Sequence, residues 1–146
     1  NTYFNIKIRQ TDFALVKENI IAKRYTIVNG NKLDLDLSFL VRSKLYSNDN
    51  NMVSGKVIDN GLIQYNHDFS FSIFTNKNIS GHRINDVESC FREAVLTDKD
   101  YIGMSNDSAV SYNLGQLKSG DQIDFTLFIY IENNNNIKIW KNSKKK

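Results

Sequence analysis

The chain lacks proline altogether and holds one cysteine, one tryptophan, two histidines and four glutamates in 146 residues. Each shortage excludes something. Without proline, collagen-like and proline-rich linker architectures are out. Cys90 alone forms no internal disulfide and builds no cysteine zinc site. The glutamates are Glu18, Glu88, Glu93 and Glu132; Glu88 and Glu93 lie five apart and do not align on a helix face, so no carboxylate pair for acid–base work stands out. His67 and His82 belong to no helical zinc motif, and a metal site needs three or four ligands. Gly103, Gly115 and Gly120 are isolated turn glycines, not a phosphate loop. No apolar run is long enough for a membrane-spanning helix, and no basic-then-apolar leader opens the chain.

What is present points to one folded domain. At 40% hydrophobic and 24% charged, a chain of this length buries roughly two-thirds of its unfolded surface. The net charge of +3 is misleading, because Lys138, Lys141, Lys144, Lys145 and Lys146 crowd the end. Without them, 14 basic residues face 16 acidic ones. Nucleic-acid binding needs clustered Lys and Arg on a folded face, and five arginines spread from Arg9 to Arg92 do not supply it. The lysine tail reads as a solvated terminus or linker.

Alternation dominates the pattern. Asn5–Arg9 alternates polar and apolar, Phe13–Lys17 is a short apolar segment, and Ile20–Val28 is β-branched and aromatic. Asn29-Gly30-Asn31 is a tight-turn signal. Leu33, Leu35, Leu37 and Phe39 then line one face, as only a strand allows. Ser47–Asn51 reads as a polar loop. A second hairpin signal joins Lys56–Ile58 to Leu62–Tyr65 through Asp59-Asn60-Gly61, with Asn-Gly expected to supply positive φ angles. Phe69, Phe71 and Ile73 alternate with serines, and a loop runs from Asn76 to Gly81. Over Asp86–Leu96, Val87, Cys90, Phe91, Ala94 and Val95 make a helical stripe, capped by Asn85 or Asp86. Tyr101–Met104, Ala109–Leu114 and Ile123–Ile131 read as strands, and Ile137–Trp140 as a last short strand or linker. Nine or ten strands with at most one short helix predict an all-β, antiparallel β-sandwich or barrel. The sandwich is expected over residues 1–132 and a polar, basic tail or linker over residues 133–146.

The polar residues read mainly as structure. Asp34 and Asp36 share the solvated face of a strand. His67 and Asp68, as strand neighbours, would point to opposite faces. Cys90 on an apolar stripe is an inert buried thiol. Asn78-Ile79-Ser80 and Asn106-Asp107-Ser108 match the glycosylation pattern, as expected by chance in an asparagine-rich chain. Tyr46, Tyr65, Tyr101, Tyr112, Tyr130 and Trp140 would make a sugar-stacking platform only if several shared one exposed surface; the competing reading is core. No residue is singled out as catalytic, cofactor-binding or metal-ligating, and no cofactor is expected.

One stretch carries a resemblance. Leu114-Gly115-Gln116-Leu117-Lys118-Ser119-Gly120-Asp121-Gln122, followed by the alternating strand to Ile131, is similar to a turn and strand near the end of β-sandwich domains in α-glycan-processing enzymes. Many of these carry proline where this chain has Ser119. Ile21–Asn29 running into Leu33–Leu37 resembles another unit of the same domains. Ser43-Lys44-Leu45 with Gly55–Gly61 resembles bacterial, clostridial-type proteins of glycoside hydrolase family 15, related to glucoamylase and glucodextranase. The resemblance covers most of Ile20–Ile131 but no catalytic motif. It implies a galactose-mutarotase-like supersandwich with an incomplete start, and a non-catalytic N-terminal role beside an (α/α)6 catalytic barrel. In such an inverting enzyme two well-separated carboxylates flank the scissile bond. They belong to the barrel, so no residue here inherits them. The implied partner is that barrel, with an α-glucan oligosaccharide as a further ligand and neither nucleic acid nor membrane involved. A soluble bacterial protein is expected. Such a domain needs a sizeable apolar patch on one sheet face. The rival expectations are a standalone carbohydrate-binding module, needing an exposed aromatic row, and a structural or adhesive sandwich that associates with itself.

Overall fold

Strand pairing puts nearly every alternating segment into one of two antiparallel sheets. The computed structural model describes residues 5–46, 53–93 and 96–133. Ten strands are formed among these: β1 (Ile6–Leu15), β2 (Ile20–Asn29), β3 (Leu35–Lys44), β4 (Ser54–Ile58), β5 (Gly61–Tyr65), β6 (Phe69–Phe74), β7 (Gly81–Ile84), β8 (Ile102–Met104), β9 (Asp107–Leu117) and β10 (Gln122–Asn133). A 3-10 turn at Val16–Glu18 joins β1 to β2, and helix α1 (Val87–Glu93) follows β7. The large sheet has the order β1-β2-β10-β6-β5-β4-β8 and the small one β3-β9-β7. The fold is an all-β, antiparallel sandwich.

The core lies between the sheets. Ile27, Leu62, Ile73, Phe125 and Leu127 of the large sheet meet Val110, Tyr112, Leu114 and Leu117 of β9. Phe39 of β3 bridges them, its ring 4.8 Å from both Tyr25 and Phe125. One polar residue is packed into this layer: Gln64, fully buried, accepts the Ser43 hydroxyl at 2.5 Å and donates to the Asn106 carbonyl at 3.1 Å. A buried amide is tolerable only when so satisfied.

Several expectations need correcting. Asn29-Gly30-Asn31 does not close a hairpin: β2 lies in the large sheet and β3 in the small one, so this turn carries the chain across the sandwich. Buried Asn29 holds the crossing, donating its amide to the carbonyls of Leu33 (2.8 Å) and Leu117 (3.0 Å). Leu33, which the alternation places on the apolar stripe, precedes the strand and is exposed. The Asp59–Asn60 hairpin does form, with Ile58 opposite Gly61. Its expected positive φ angles are absent, since among the described residues these fall at Asn19, Asn85, Asp86, Asp100, Gly115 and Gly120. Glycine is required at position 61 for another reason: a Cβ there would lie 2.8 Å from Phe74 Cα and collide with the Ile73 carbonyl. Strand β7 has no counterpart in the sequence pattern. The helix is present from Val87 to Glu93, with Val87 and Cys90 buried as its stripe predicts. Ala94, Val95, Ser47–Asn51 and Ile137–Trp140 lie outside the described residues.

Candidate functional site

The two outer faces of the sandwich differ in chemistry. Over the small sheet the surface is polar and partly roofed by α1. Arg42 makes a bidentate contact with Asp107 (2.9 and 2.8 Å), a 2.5 Å ion pair with Glu88 of α1, and stands 5.4 Å over the Phe91 ring. Helix and sheet are thus clamped through one guanidinium, whose hydrogen bond and charge hold the Glu88 carboxyl below its ordinary pKa. Arg83 ties β7 to the same region through Asp86 and Thr97.

The outer face of the large sheet has no such roof among the described residues. Because side chains alternate, the pairing register sets what this face presents. Phe128 lies opposite Phe74, Tyr130 opposite Ser72, Ser72 opposite Ile63, and Ile58 opposite Gly61. Phe74 and Phe128 stack with ring centres 5.5 Å apart. Toward one edge the face continues through Phe13 and Leu15 of β1, 51% and 46% exposed; toward the other through Ile102 and Met104 of β8, each 60% exposed. Seven strands at a spacing of about 4.8 Å make this face about 29 Å wide. A groove of about 400 Å³ runs into it, lined by Ile58, Asn60, Ile63, Ser72, Phe74 and Tyr130. Burial, with the adjacent Glu132 carboxylate, pushes the Tyr130 phenol above its ordinary pKa. The face is not apolar throughout: the Arg24–Asp124 ion pair, with Thr26 bonded to Asp124, lies on its central strands β2 and β10, and Lys7, Arg9 and Lys56 add charge from β1 and β4, Lys56 opposite Ile63.

The other candidates are dispersed. His67 and Asp68, expected on opposite faces of a strand, instead occupy the loop between β5 and β6, where Nδ1 and Oδ1 approach to 3.0 Å in full exposure. His82 is buried against Tyr101, ring centres 4.1 Å apart, and Nδ1 lies 3.4 Å from Asp98. Cys90 is buried, its Sγ 3.5 Å from Thr97 Oγ1. Asp34 accepts a hydrogen bond from the Ser119 amide, and Asp36 is exposed on β3. Of the aromatics weighed as a sugar platform, Tyr112 is wholly in the core, Tyr65 and Tyr130 are half-buried, and Tyr46 and Tyr101 are exposed in separate segments. Among the described residues, no cluster of three His, Cys, Asp or Glu side chains could hold a metal ion.

The apolar face is not legible in the sequence as a set of residues, although a patch is expected. Its members come from β1, β2, β4, β5, β6, β8 and β10, and only strand order brings them together. No protein-family model matches the chain, and no curated protein matches it either.

Proposed function

We propose that this chain is the non-catalytic β-sandwich domain of an α-glucan-hydrolysing enzyme of the glycoside hydrolase family 15 type, packed against an (α/α)6 catalytic barrel. The observation that supports this reading most is the apolar outer face of the large sheet. Apolar patches bordered by polar residues mark interaction sites on soluble proteins. The opposite outer face, by contrast, is polar and clamped beneath its own helix. A helical barrel offers what the bare face lacks, since apolar ridges of helices pack against sheets in two-layer architectures. The stacked Phe74–Phe128 pair and the groove beside it offer a rigid, shaped contact rather than a scatter of surface leucines. The sandwich would act mechanically, giving the barrel a stiff wall and fixing the loops that border it. The resemblance of Leu114–Gln122, which spans the end of β9, the turn and the first residue of β10, is what suggests this family.

A sandwich that covers the same face with a second copy of itself is the competing reading. Immunoblotting of source cells with antibody against this chain separates the two. A band far above 16.8 kDa, co-purifying with α-glucan hydrolysis, is expected. A 16.8 kDa band in protease-inhibited lysate overturns the proposal. In the native enzyme, Phe74→Asp should lower the temperature at which hydrolysis is lost while leaving KM unchanged. An unaltered inactivation temperature would remove the outer face from the interface.

A further inference from the structure

The large sheet ends on an edge with little to guard it. β1 heads the strand order and, among the described residues, pairs with β2 alone. Its ten residues make it nearly twice as long as an average strand. Every residue after Ile6 is exposed, so neither face of the strand is covered. Natural edges are blunted by shortness, proline, bulges or charge. The chain holds no proline, and the register to β2 runs unbroken from Ile6 opposite Asn29 to Leu15 opposite Ile20. Charge remains, in Lys7, Arg9 and Asp12, but it alternates with exposed Ile8 (62%), Phe13 and Leu15.

Two contacts set which backbone groups the edge offers. The Gly30 amide donates to the Asn5 carbonyl at 2.7 Å, one step before β1. The Asn29 amide turns the other way, to the Asp121 carbonyl beside β10 at 3.0 Å. Backbone groups of successive strand residues point to opposite edges. The odd-numbered residues of β1 therefore bond to β2, while Ile8, Gln10, Asp12 and Ala14 present their N–H and C=O groups outward. The same register sorts the side chains. Ile8 stands opposite core residue Ile27, so Ile8, Gln10, Asp12 and Ala14 share the core-side face. Lys7, Arg9, Thr11, Phe13 and Leu15 share the outer face.

We infer that two copies of this chain pair antiparallel through β1, about a two-fold axis at Thr11, so that their large sheets run on as one. A two-fold relating antiparallel strands stands perpendicular to the sheet and keeps each face continuous. Registers centred on Gln10 and on Thr11 overlap most of β1. The first sets Ile8 against the Asp12 carboxylate. The second sets Ile8 against Ala14 and Gln10 against Asp12 on the core-side face. On the outer face it sets Arg9 against Phe13, Lys7 against Leu15, and Thr11 against its own copy. These are an amide on a carboxylate, a guanidinium over a ring, a lysine stem on leucine and a hydroxyl on a hydroxyl. Gln10 already donates to Asp12 of its own strand at 2.9 Å, so the amide is turned toward such an acceptor. No like charges face each other. The outward residues of the two strands exchange about eight backbone hydrogen bonds. A second copy is the occupant because the strand complements itself in this register. The seam is about 30 Å long and one sheet thick, which places it among the small, weak interfaces, with a dissociation constant of about 10–100 µM. The pairing uses the edge of the sheet and not its outer face, so it stands whether or not a catalytic barrel packs there.

Sedimentation of the full chain from about 1 µM to about 1 mM tests it. Monomer should give way to dimer across that range, and monomer throughout overturns the inference. The register is tested by Thr11→Cys in a Cys90→Ser background. Thr11 meets its copy as a non-hydrogen-bonded pair with Cα atoms about 4.5 Å apart, within disulfide reach. A glutathione redox buffer should therefore link the Thr11→Cys variant as a dimer and leave Gln10→Cys, offset by two residues from its copy, unlinked. The reverse result overturns the register. Gln10→Pro removes an outward N–H that β2 does not use. It should raise the dissociation constant at least about tenfold with the far-UV circular dichroism unchanged. Association that survives it unaltered belongs to another face and overturns the inference. Thr11→Cys is a conservative change at an exposed position, so it decides the question even if the proline variant fails to fold.

Discussion

Replacing Asn29 should cost more than any surface position, and the cost can be worked from its bonds. The residue is fully buried at the end of β2. Its amide nitrogen donates to Leu33 O at 2.8 Å and Leu117 O at 3.0 Å; its side-chain oxygen accepts from the Asn31 backbone at 2.9 Å and the Asn31 side chain at 3.0 Å. Asn29→Ala strips partners from three backbone groups at the crossover between sheets. At about 0.5–1.5 kcal/mol net for each hydrogen bond, the loss is about 3 kcal/mol. Asn29→Asp keeps the acceptor but points carboxylate oxygens at two carbonyls in a buried site. Burial raises the introduced group's pKa, so its extra penalty should appear as pH rises above about 4 and should be largely absent below. Urea titration followed by tyrosine and tryptophan fluorescence reads both variants. The midpoint should fall by about 1–3 M with the slope unchanged. An alanine cost under about 0.5 kcal/mol, or an aspartate variant no weaker than alanine at neutral pH, would refute the reasoning.

Other positions make sharper or milder demands. Gly61→Ala forces a Cβ against the β6 backbone and should cost about 2 kcal/mol or more; Gly115→Ala, at φ 84° with open space around it, should cost only about 1 kcal/mol, and thermal melts rank the two. Arg42→Met should release α1, seen as loss of helix amide protection at denaturant concentrations where Val110 stays protected. Hydrogen bonds from Lys23 to Asp12, from Thr26 and Arg24 to Asp124, and from Arg42 to Glu88 hold these carboxyls below their ordinary pKa values. The unfolded chain therefore takes up protons first, and the stability from these groups, full above about pH 4, is lost as pH falls through their folded-state values; acid titrations in low and high salt should show the loss, smaller in high salt. Burial raises the Tyr112 pKa, so stability is lost as pH rises past about 10, where the unfolded tyrosine ionises, and Tyr112→Phe should flatten that alkaline limb.

The strands that can be read from sequence are those whose alternation is long enough to outweigh noise. β3 and β10 declare themselves because Leu35, Leu37 and Phe39, and Ile123 through Ile131, repeat at a period of two. β7 does not, because Gly81–Ile84 is four residues long and its glycine supplies no pattern. Turn chemistry at Asn29-Gly30-Asn31 tells that the chain reverses; it does not tell which sheet the next strand joins. That choice rests on the bond from Asn29 to Leu117, 88 positions away. The hairpin at Asp59–Asn60 is legible for the wrong reason, since Gly61 serves the approach of β6 rather than a positive φ. The outer face escapes residue-level reading because Ile58, Ile63, Phe74 and Phe128 sit on four strands whose order is 10-6-5-4. Local periodicity puts each on a face without saying which faces adjoin.

The position of Cys90 turns the molecule into its own gauge of local motion. The chain's one thiol is 4% exposed on the inner side of α1, within 3.5 Å of Thr97. A disulfide reagent in solution can reach that sulfur only while the helix is lifted from the sheet. Labelling rates, compared with those of the denatured chain, therefore time the detachment of α1 alone. Loosening the Arg42 clamp should quicken that clock while the rest of the sandwich keeps its own slower one.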